Sequence, residues 1–439
     1  MKRITITFLF LLLISFVFAQ SSDYKLDLKE QKRTIDSIST NLKANYIFPD
    51  VAEKMNSLIA DNFKRNQYKA ITDPNKFAER LTKDLRLISN DLHLSVSYAP
   101  DQIAEQNNAI SDEEQDVLQN QWIDQMKRNN FGFKEVKILN GNIGYLDLRE
   151  FTPAELGGET AVAAMNFLSN ADAVIIDLRH NGGGSPSMIQ LISSYLFEAE
   201  PVHLNNFYWR PNDQHTQTWT LPHVQGKRFP NTPVYVLTSR QTFSAAEEFS
   251  YNLRNLKRAT LVGETTGGGA HPGGTVNVTD KFMVWIPKGR AINPITKTNW
   301  EGTGVEPHVK VSSDDALSTA QLEAFKNLMS TTKDNEQRSF YSWHLEGIKT
   351  RMNPVNSENL KLDLYVGTFG LRNITMENGE LFYQRERGNK FALIPMGNHW
   401  FMLEGLDYFR VEFEIVDKRT AALIGHYDNG RRDKSSRTQ

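Results

Sequence analysis

Forty-one consecutive residues, Val234 to Gly274, leave this chain the fewest choices: VYVLTSRQTFSAAEEFSYNLRNLKRATLVGETTGGGAHPGG. Val234 to Thr238 has the apolar, β-branched character of a short buried strand, Ser239 to Phe243 is a polar turn, and Ser244 opens an amphipathic helix running through Leu256. A strand that feeds a helix through so short a turn puts Ser244 at a helix N-terminus. There its hydroxyl has free backbone N–H groups beside it and the positive end of the helix dipole beneath it, a setting suited to an anionic tetrahedral intermediate.

The same residues also satisfy a plainer pattern. Ser244 with Glu247 three positions on is a capping box, in which the two side chains close the helix end with no chemistry. Caps far outnumber nucleophiles, so this stretch by itself favours the cap.

Residues 1–19 carry Lys2 and Arg3, an apolar run from Phe8 to Phe18, and Ala19 at a cleavable junction. This is the pattern of a secretory signal peptide, too short for a permanent membrane span. The chain has no cysteine, which removes disulfides, thiol nucleophiles, thiolate metal sites and a lipidated N-terminal cysteine. A formal net charge of −2 over 439 residues gives no footprint for nucleic acid, and no later apolar run is long enough for stable membrane insertion.

Residues 20–100 read as a helical unit, with Ile35, Ile38, Leu42 and Tyr46 on one face, further helices over 51–63 and 74–87, and a strand begun by Leu94, Val96 and Tyr98. His93 stands at that helix-to-strand joint. Residues 101–139 read as a connector, helical and charged over 111–130. From Asn140 strands and helices alternate: GNIGYLDL, a helix over 158–168, then AVIIDLR running into Gly182, Gly183 and Gly184. Successive glycines can turn backbone N–H groups toward a ligand, and neither a GxxxxGK[ST] nor a GxGxxG spacing accompanies them. Residues 205–229 read as a loop-like insert rich in aromatics and amides, and 275–287 as a hairpin. The alternation continues to a closing helix over 314–329, so 140–330 forms the core. Residues 331–361 are a linker helix. From Leu362 to the end at 439, short alternating strands with an Asn378-Gly379 turn predict a small β-barrel or meander.

The motifs ANYIFPD, DLHLSVSY, IIDLRHNGGG, TSRQTFSAAEEF, VGETTGGGAHPGG and NWEGTGVEP, in that order, resemble the S41 family of serine peptidases. The similarity runs from about Leu26 to about Leu328 and is strongest to the branch of tricorn-core-like peptidases and the modules of interphotoreceptor retinoid-binding protein. It implies an α/β core of the ClpP and crotonase type, built from ββα units, behind a helical N-terminal domain. The resemblance makes Ser244 the nucleophile, His93 the general base and Glu301 the carboxylate that orients it. The N–H groups of Gly183 and Ala245 become the oxyanion hole. It also implies a polypeptide substrate held as an added strand, and no cofactor. These residue types answer the chemistry. Serine needs a base, imidazole titrates nearest neutrality, a carboxylate fixes its tautomer, and each oxyanion donor typically contributes ~3 kcal/mol.

The pattern departs from the family in two places. Tricorn-like members carry a serine before the histidine where this chain has Leu92, so the orienting acid is either Glu301 or a substitute such as Asp91. The carboxy-terminal-processing branch uses a serine and a lysine with a PDZ domain. Here Gly269 lies near the lysine's place and no PDZ-sized insert separates Pro100 from Asn140, which argues against that mechanism.

His271 and His180, beside glycine-rich segments, are the rival bases, and a histidine between two leucines is in general a satisfied structural residue. The histidines show no HExxH or paired spacing, so no metal site is expected. Residues 362–423 resemble, more weakly, the small β-domains appended to bacterial β-lactamase-like and peptidase-like proteins, which suggests an accessory domain. The rival functional reading is a non-catalytic module that binds apolar ligands such as retinoids or lipids on the same fold.

Overall fold

The computed structural model describes residues 24–107, 112–355 and 360–438. The expected signal peptide over 1–19 lies outside the described residues. A helical N-terminal region leads into a mixed α/β core, and an all-β domain follows. The chain divides into two compact units, one of residues 24–136, 146–170 and 176–313, the other of 137–145, 171–175 and 314–438.

In the first unit, helices Leu28–Asn45, Pro49–Lys64 and Pro74–Ser89 turn Ile38, Leu42, Met55, Ile59, Phe77 and Leu81 into one core. Asp27 caps the first helix and Asp73 the third, each accepting backbone N–H groups in extended geometry. The third helix ends on Asn90 in the left-handed conformation, φ 53°. The chain then reverses through Asp91–Leu92–His93 into strand Ser95–Tyr98. Arg86 fixes that joint, its Nη2 donating to the Leu92 carbonyl and its Nε to the Leu94 carbonyl, both at 2.7 Å. Ser95–Tyr98 pairs antiparallel with Phe282–Pro287 in the register Val96↔Val284, and Phe282–Pro287 pairs with Gly273–Asn277. Gly273–Asn277 is therefore an outer strand of that three-stranded sheet.

The larger sheet has the order Val309–Lys310, Ala259–Gly263, Val234–Thr238, Ala173–Asp177, Ile143–Leu148, Phe133–Leu139. Val234–Thr238, Ala173–Asp177 and Ile143–Leu148 are buried at every position, as strands covered on both faces must be. Phe133–Leu139 falls within the stretch read from sequence as connector. Exposed Lys134 and Glu135, with half-buried Lys137, mask the strand behind a charged composition.

The segment expected as a loop over 205–229 instead begins as a hairpin. His203–Trp209 pairs with Gln214–Trp219 on one side and with Gly289–Ile292 on the other. Its amides hid the pattern: Asn205 is buried beside Leu204 and Phe207, where an alternating strand would carry apolar residues.

In the second unit, helices Ala316–Thr331 and Asn335–Met352 precede eight antiparallel strands paired in sequence order from Gly367–Phe369 to Arg432–Ser436. Asn378 and Gly379, φ 52° and 83°, make the two-residue turn that joins Glu377 to Glu380. A bridge between Phe369 and Arg437, with the Thr438 N–H donated to the Thr368 carbonyl at 2.8 Å, joins the ends of the sheet around Phe369, Phe401, Leu403, Val411 and Phe413.

Candidate active site

Ser244 begins helix Ala245–Asn255 with φ 53° and ψ −119°. The other side-chain caps of the described helices, Asp27, Asp73, Ser185 and Asp334, all lie in the extended region that capping uses, with φ between −98° and −76°. A serine with positive φ is costly, of order 1–3 kcal/mol, and a helix cap has no need of it. A strained strand-to-helix turn is what lifts a nucleophile clear of its sheet. The glutamate half of the capping box is made, the Ser244 N–H donating to Glu247 Oε2 at 2.9 Å.

Ser244 and His93 line one cavity of about 320 Å³, with Ala245, Gly184 and Gly269. His93 packs on Phe243, the residue before the serine, with ring centroids 4.6 Å apart. A Cβ on Gly269 would stand 2.7 Å from His93 Cε1 and closer still to the Phe243 ring, so only glycine lets the imidazole lie there. Burial lowers the His93 pKa to about 4 and so keeps the ring neutral. Its Nδ1 is buried without a hydrogen-bond partner, 4.0 Å from Asp91 Oδ1.

Asp91 is fully buried and is the hub of the polar groups behind His93. It accepts the His93 backbone N–H at 3.1 Å and bonds His271 Nδ1 at 2.8 Å. Tyr46 Oη donates to it at 3.4 Å, and burial, then Asp91, pushes the Tyr46 pKa up. Glu301 accepts the Ala270 N–H at 2.6 Å and lies 3.3 Å from the same His271 nitrogen. Asp91, His93 and Glu301 each bring a ligand-type atom within 4.8 Å of the others, the one such grouping among the described residues. The 4.0 Å between His93 and Asp91 exceeds the roughly 3.4 Å between ligands of a tetrahedral zinc ion with bonds near 2.1 Å.

The structure thus brings Ser244, His93, Ala245 and, behind them, Glu301 together. His271 sits in the second layer against Asp91 and does not line the cavity. His180 is exposed and pairs with Gln241 at 3.0 Å, away from it. Gly183, expected to offer its N–H to an oxyanion, donates it to Asn181 Oδ1 at 2.9 Å, and the cavity wall is Gly184. Leu92, where a relay serine stands in similar chains, is exposed.

Sequence reasoning missed the work of Glu247. Its Oε1 accepts Thr266 Oγ1 at 2.5 Å and the Gly268 N–H at 2.6 Å; its Oε2 accepts the N–H groups of Gly269 at 2.8 Å and Ser244 at 2.9 Å. One carboxylate therefore ties the serine to the glycine loop that packs on His93. The [ST]-x-x-[DE] spacing marked the residue but assigned it only to the helix.

Burial sets a pH dependence. It pushes Glu247 and Glu248 up to about 7, and burial followed by Asp91 raises Glu301. From the ordinary value of 4.5 up to about 7 the folded state keeps protons that the unfolded chain has lost. Their stabilisation is complete below 4.5 and lost as pH rises through 7. His93 and, in the second unit, His344 act oppositely, both lowered from 6.5 to about 4 by burial. That contribution is complete above 6.5 and lost as pH falls through 4. Glu150, raised by burial, and His308, lowered by it, add one group to each side; the carboxyls still outnumber the imidazoles, so the melting temperature at fixed ionic strength should fall between pH 5 and 7. A rise over that interval would contradict the burial of these carboxyls.

Two family models match the chain: Peptidase family S41 over residues 142–311, and the N-terminal domain of Peptidase_S41 in eukaryotic IRBP over residues 27–131. The chloroplastic carboxyl-terminal-processing peptidase 1 of Arabidopsis thaliana is 28% identical over 176 residues, 39% of this chain and 34% of that protein. A carboxyl-terminal-processing protease of Synechocystis is 33% identical over 129 residues, 29% of this chain and 28% of that one. The chain thus spans about a third of the length of the curated relatives it matches. Among solved structures, the photosystem II D1 C-terminal processing protease matches 65% of this chain and 93% of its own at 12% identity, TM-score 0.40. The tricorn protease matches 73% of this chain and 37% of its own at 14% identity, TM-score 0.41.

Proposed function

The chain belongs to peptidase family S41, and from that premise we propose that it is a serine endopeptidase that cleaves exposed or unfolded polypeptides through an acyl-enzyme. The carrying observation is the strained backbone of Ser244 at the wall of a cavity it shares with a neutral, buried His93. In this reading Ser244 attacks the carbonyl carbon and its proton passes to His93. Asp91 and Glu301, the latter through its contact with His271, stabilise the imidazolium that forms. The oxyanion is received by the Ala245 N–H and an N–H of the Gly182–Gly184 loop, whose Gly184 lines the cavity. His93 then protonates the leaving amine, and water repeats the cycle on the ester. The core belongs, on the same reading, to the ClpP and crotonase type.

Substrate would lie along Gly273–Asn277. A second cavity of about 700 Å³ follows that strand and shares Trp209 and Gly273 with the Ser244 cavity, so an extended peptide can add to the sheet and reach the serine. No lysine lines the Ser244 cavity among the described residues, which supports a histidine base over the serine–lysine arrangement. The basic and apolar leader over 1–19 supports export to the periplasm or medium of a Gram-negative bacterium, with the C-terminal β-domain as an accessory unit. Among the described residues no helix is long and apolar enough to cross a membrane.

The rival reading, a binding module for apolar ligands, draws on Phe207, Trp209, Trp285 and Trp300 in the cavity wall but gives the strain at Ser244 no purpose. A fluorophosphonate probe separates the two. The purified protein should label covalently, and Ser244→Ala and His93→Ala should each abolish the label. A folded wild-type protein that stays unlabelled would favour the binding module.

A further inference from the structure

The cavity beside Ser244 contains a charged group that acyl transfer does not use. Glu248 is 3% exposed, yet it lines that cavity, and its Oε1 is buried with no hydrogen-bond partner. The side-chain amides of Asn205 and Asn252 adjoin the carboxylate and favour its ionised form, but neither reaches Oε1 in hydrogen-bond geometry. A buried carboxylate oxygen without a partner costs stability unless something arrives to pair with it. The rest of the wall indicates what that is. Trp209, Trp285 and Trp300 present aromatic surface, and no lysine or arginine lines the cavity among the described residues. Aromatic faces around a single carboxylate suit a cation carried on an apolar stem.

From this we infer that the Ser244 cavity is a specificity pocket for a cationic side chain, arginine or lysine, whose head group pairs with Glu248. The inference rests on the peptidase reading for its identity as the pocket beside the scissile bond, but its chemistry can be tested without activity. Burial that pushes Glu248 up to about 7 is relieved when a guanidinium occupies the site, since the pair favours the ionised carboxylate. Helix residue Glu247, spent on four donors, is not available for this task.

The test is calorimetric titration of the full chain with benzamidine, an aromatic cation, and with benzamide, its neutral counterpart. Benzamidine should bind at least ~10-fold more tightly than benzamide, and Glu248→Gln should remove that difference while the protein keeps its circular dichroism. If Glu248→Gln does not fold, the benzamidine-to-benzamide ratio on wild type decides the matter without a variant. Equal binding of the two compounds, or a preference for benzamidine that survives in folded Glu248→Gln, overturns the inference. Fluorophosphonate labelling of the same preparation is scored separately. Benzamidine binding that depends on Glu248 in a protein that never labels would sink the peptidase reading and leave the cation pocket standing. Labelling without benzamidine selectivity would do the reverse.

Discussion

Asp91→Ala is expected to lower the rate of Ser244 labelling by about 10³-fold or more, the scale seen when a base loses its orienting carboxylate. The effect exceeds that of losing one charge because Asp91 serves His93 and His271 together. It bonds one ring, fixes the backbone of the other residue, and stands 4.0 Å from the unpaired His93 Nδ1. Its removal strands a tyrosine hydroxyl and an imidazole nitrogen in a buried space, which should also cost about 3–5 kcal/mol of folding stability. Asp91→Asn separates the two effects. The carboxamide fills the same space and keeps most of the fold, but it cannot stabilise an imidazolium. Labelling kinetics with denaturant unfolding on both variants checks this. An Asp91→Asn protein that labels at the wild-type rate would hand the orienting role to Glu301 alone.

Glu247→Gln should be nearly as damaging for a different reason. Both oxygens of Glu247 accept two hydrogen bonds each, so every lone-pair site is filled. Glutamine replaces one of those oxygens with an NH₂ that faces two donors. At about 1–3 kcal/mol for each buried donor left unpaired, the loss should be roughly 3 kcal/mol or more. The donors stranded are the Ser244 and Gly269 N–H groups, or the Thr266 hydroxyl and the Gly268 N–H, so the labelling rate should fall along with the midpoint of unfolding. If stability falls while labelling of the folded fraction is unchanged, Glu247 is a cap and nothing further.

The sequence made the division into helical, mixed and all-β regions legible, because each announces itself by period: Ile35, Ile38 and Leu42 by helical spacing, Ala173 to Ile176 by a continuous apolar run, Asn378-Gly379 by turn chemistry. It failed where polar residues occupy strand positions. His203–Trp209 carries the adjacent amides Asn205 and Asn206, and Phe133–Leu139 carries Lys134, Glu135 and Lys137, so their composition contradicts their conformation. The candidate site was legible as residue types in motif order, but not as partners. That His271 engages Asp91 depends on a fold-back of the chain that no local spacing encodes. The engagement of the Gly183 N–H by Asn181 depends on a loop conformation rather than a pattern. Glu248 reads as one more polar helix residue until Phe207 and Trp209 of the hairpin 203–219, with Trp285 and Trp300 from farther along the chain, line the cavity with it.

Strand Ser95–Tyr98 follows His93 almost at once, and its partner Phe282–Pro287 belongs to the hairpin whose other strand follows His271. The spacing of the two imidazoles is therefore inherited from a backbone ladder and not from the side chains around them. Because faces alternate at every residue, a shift of one position in that ladder would reverse which residues point inward. A change of side chain along these strands alters packing locally. A single residue inserted between His93 and Ser95, or between His271 and Gly273, leaves every side chain intact and takes the imidazole out of step with its partners. The arrangement tolerates altered composition far better than altered length.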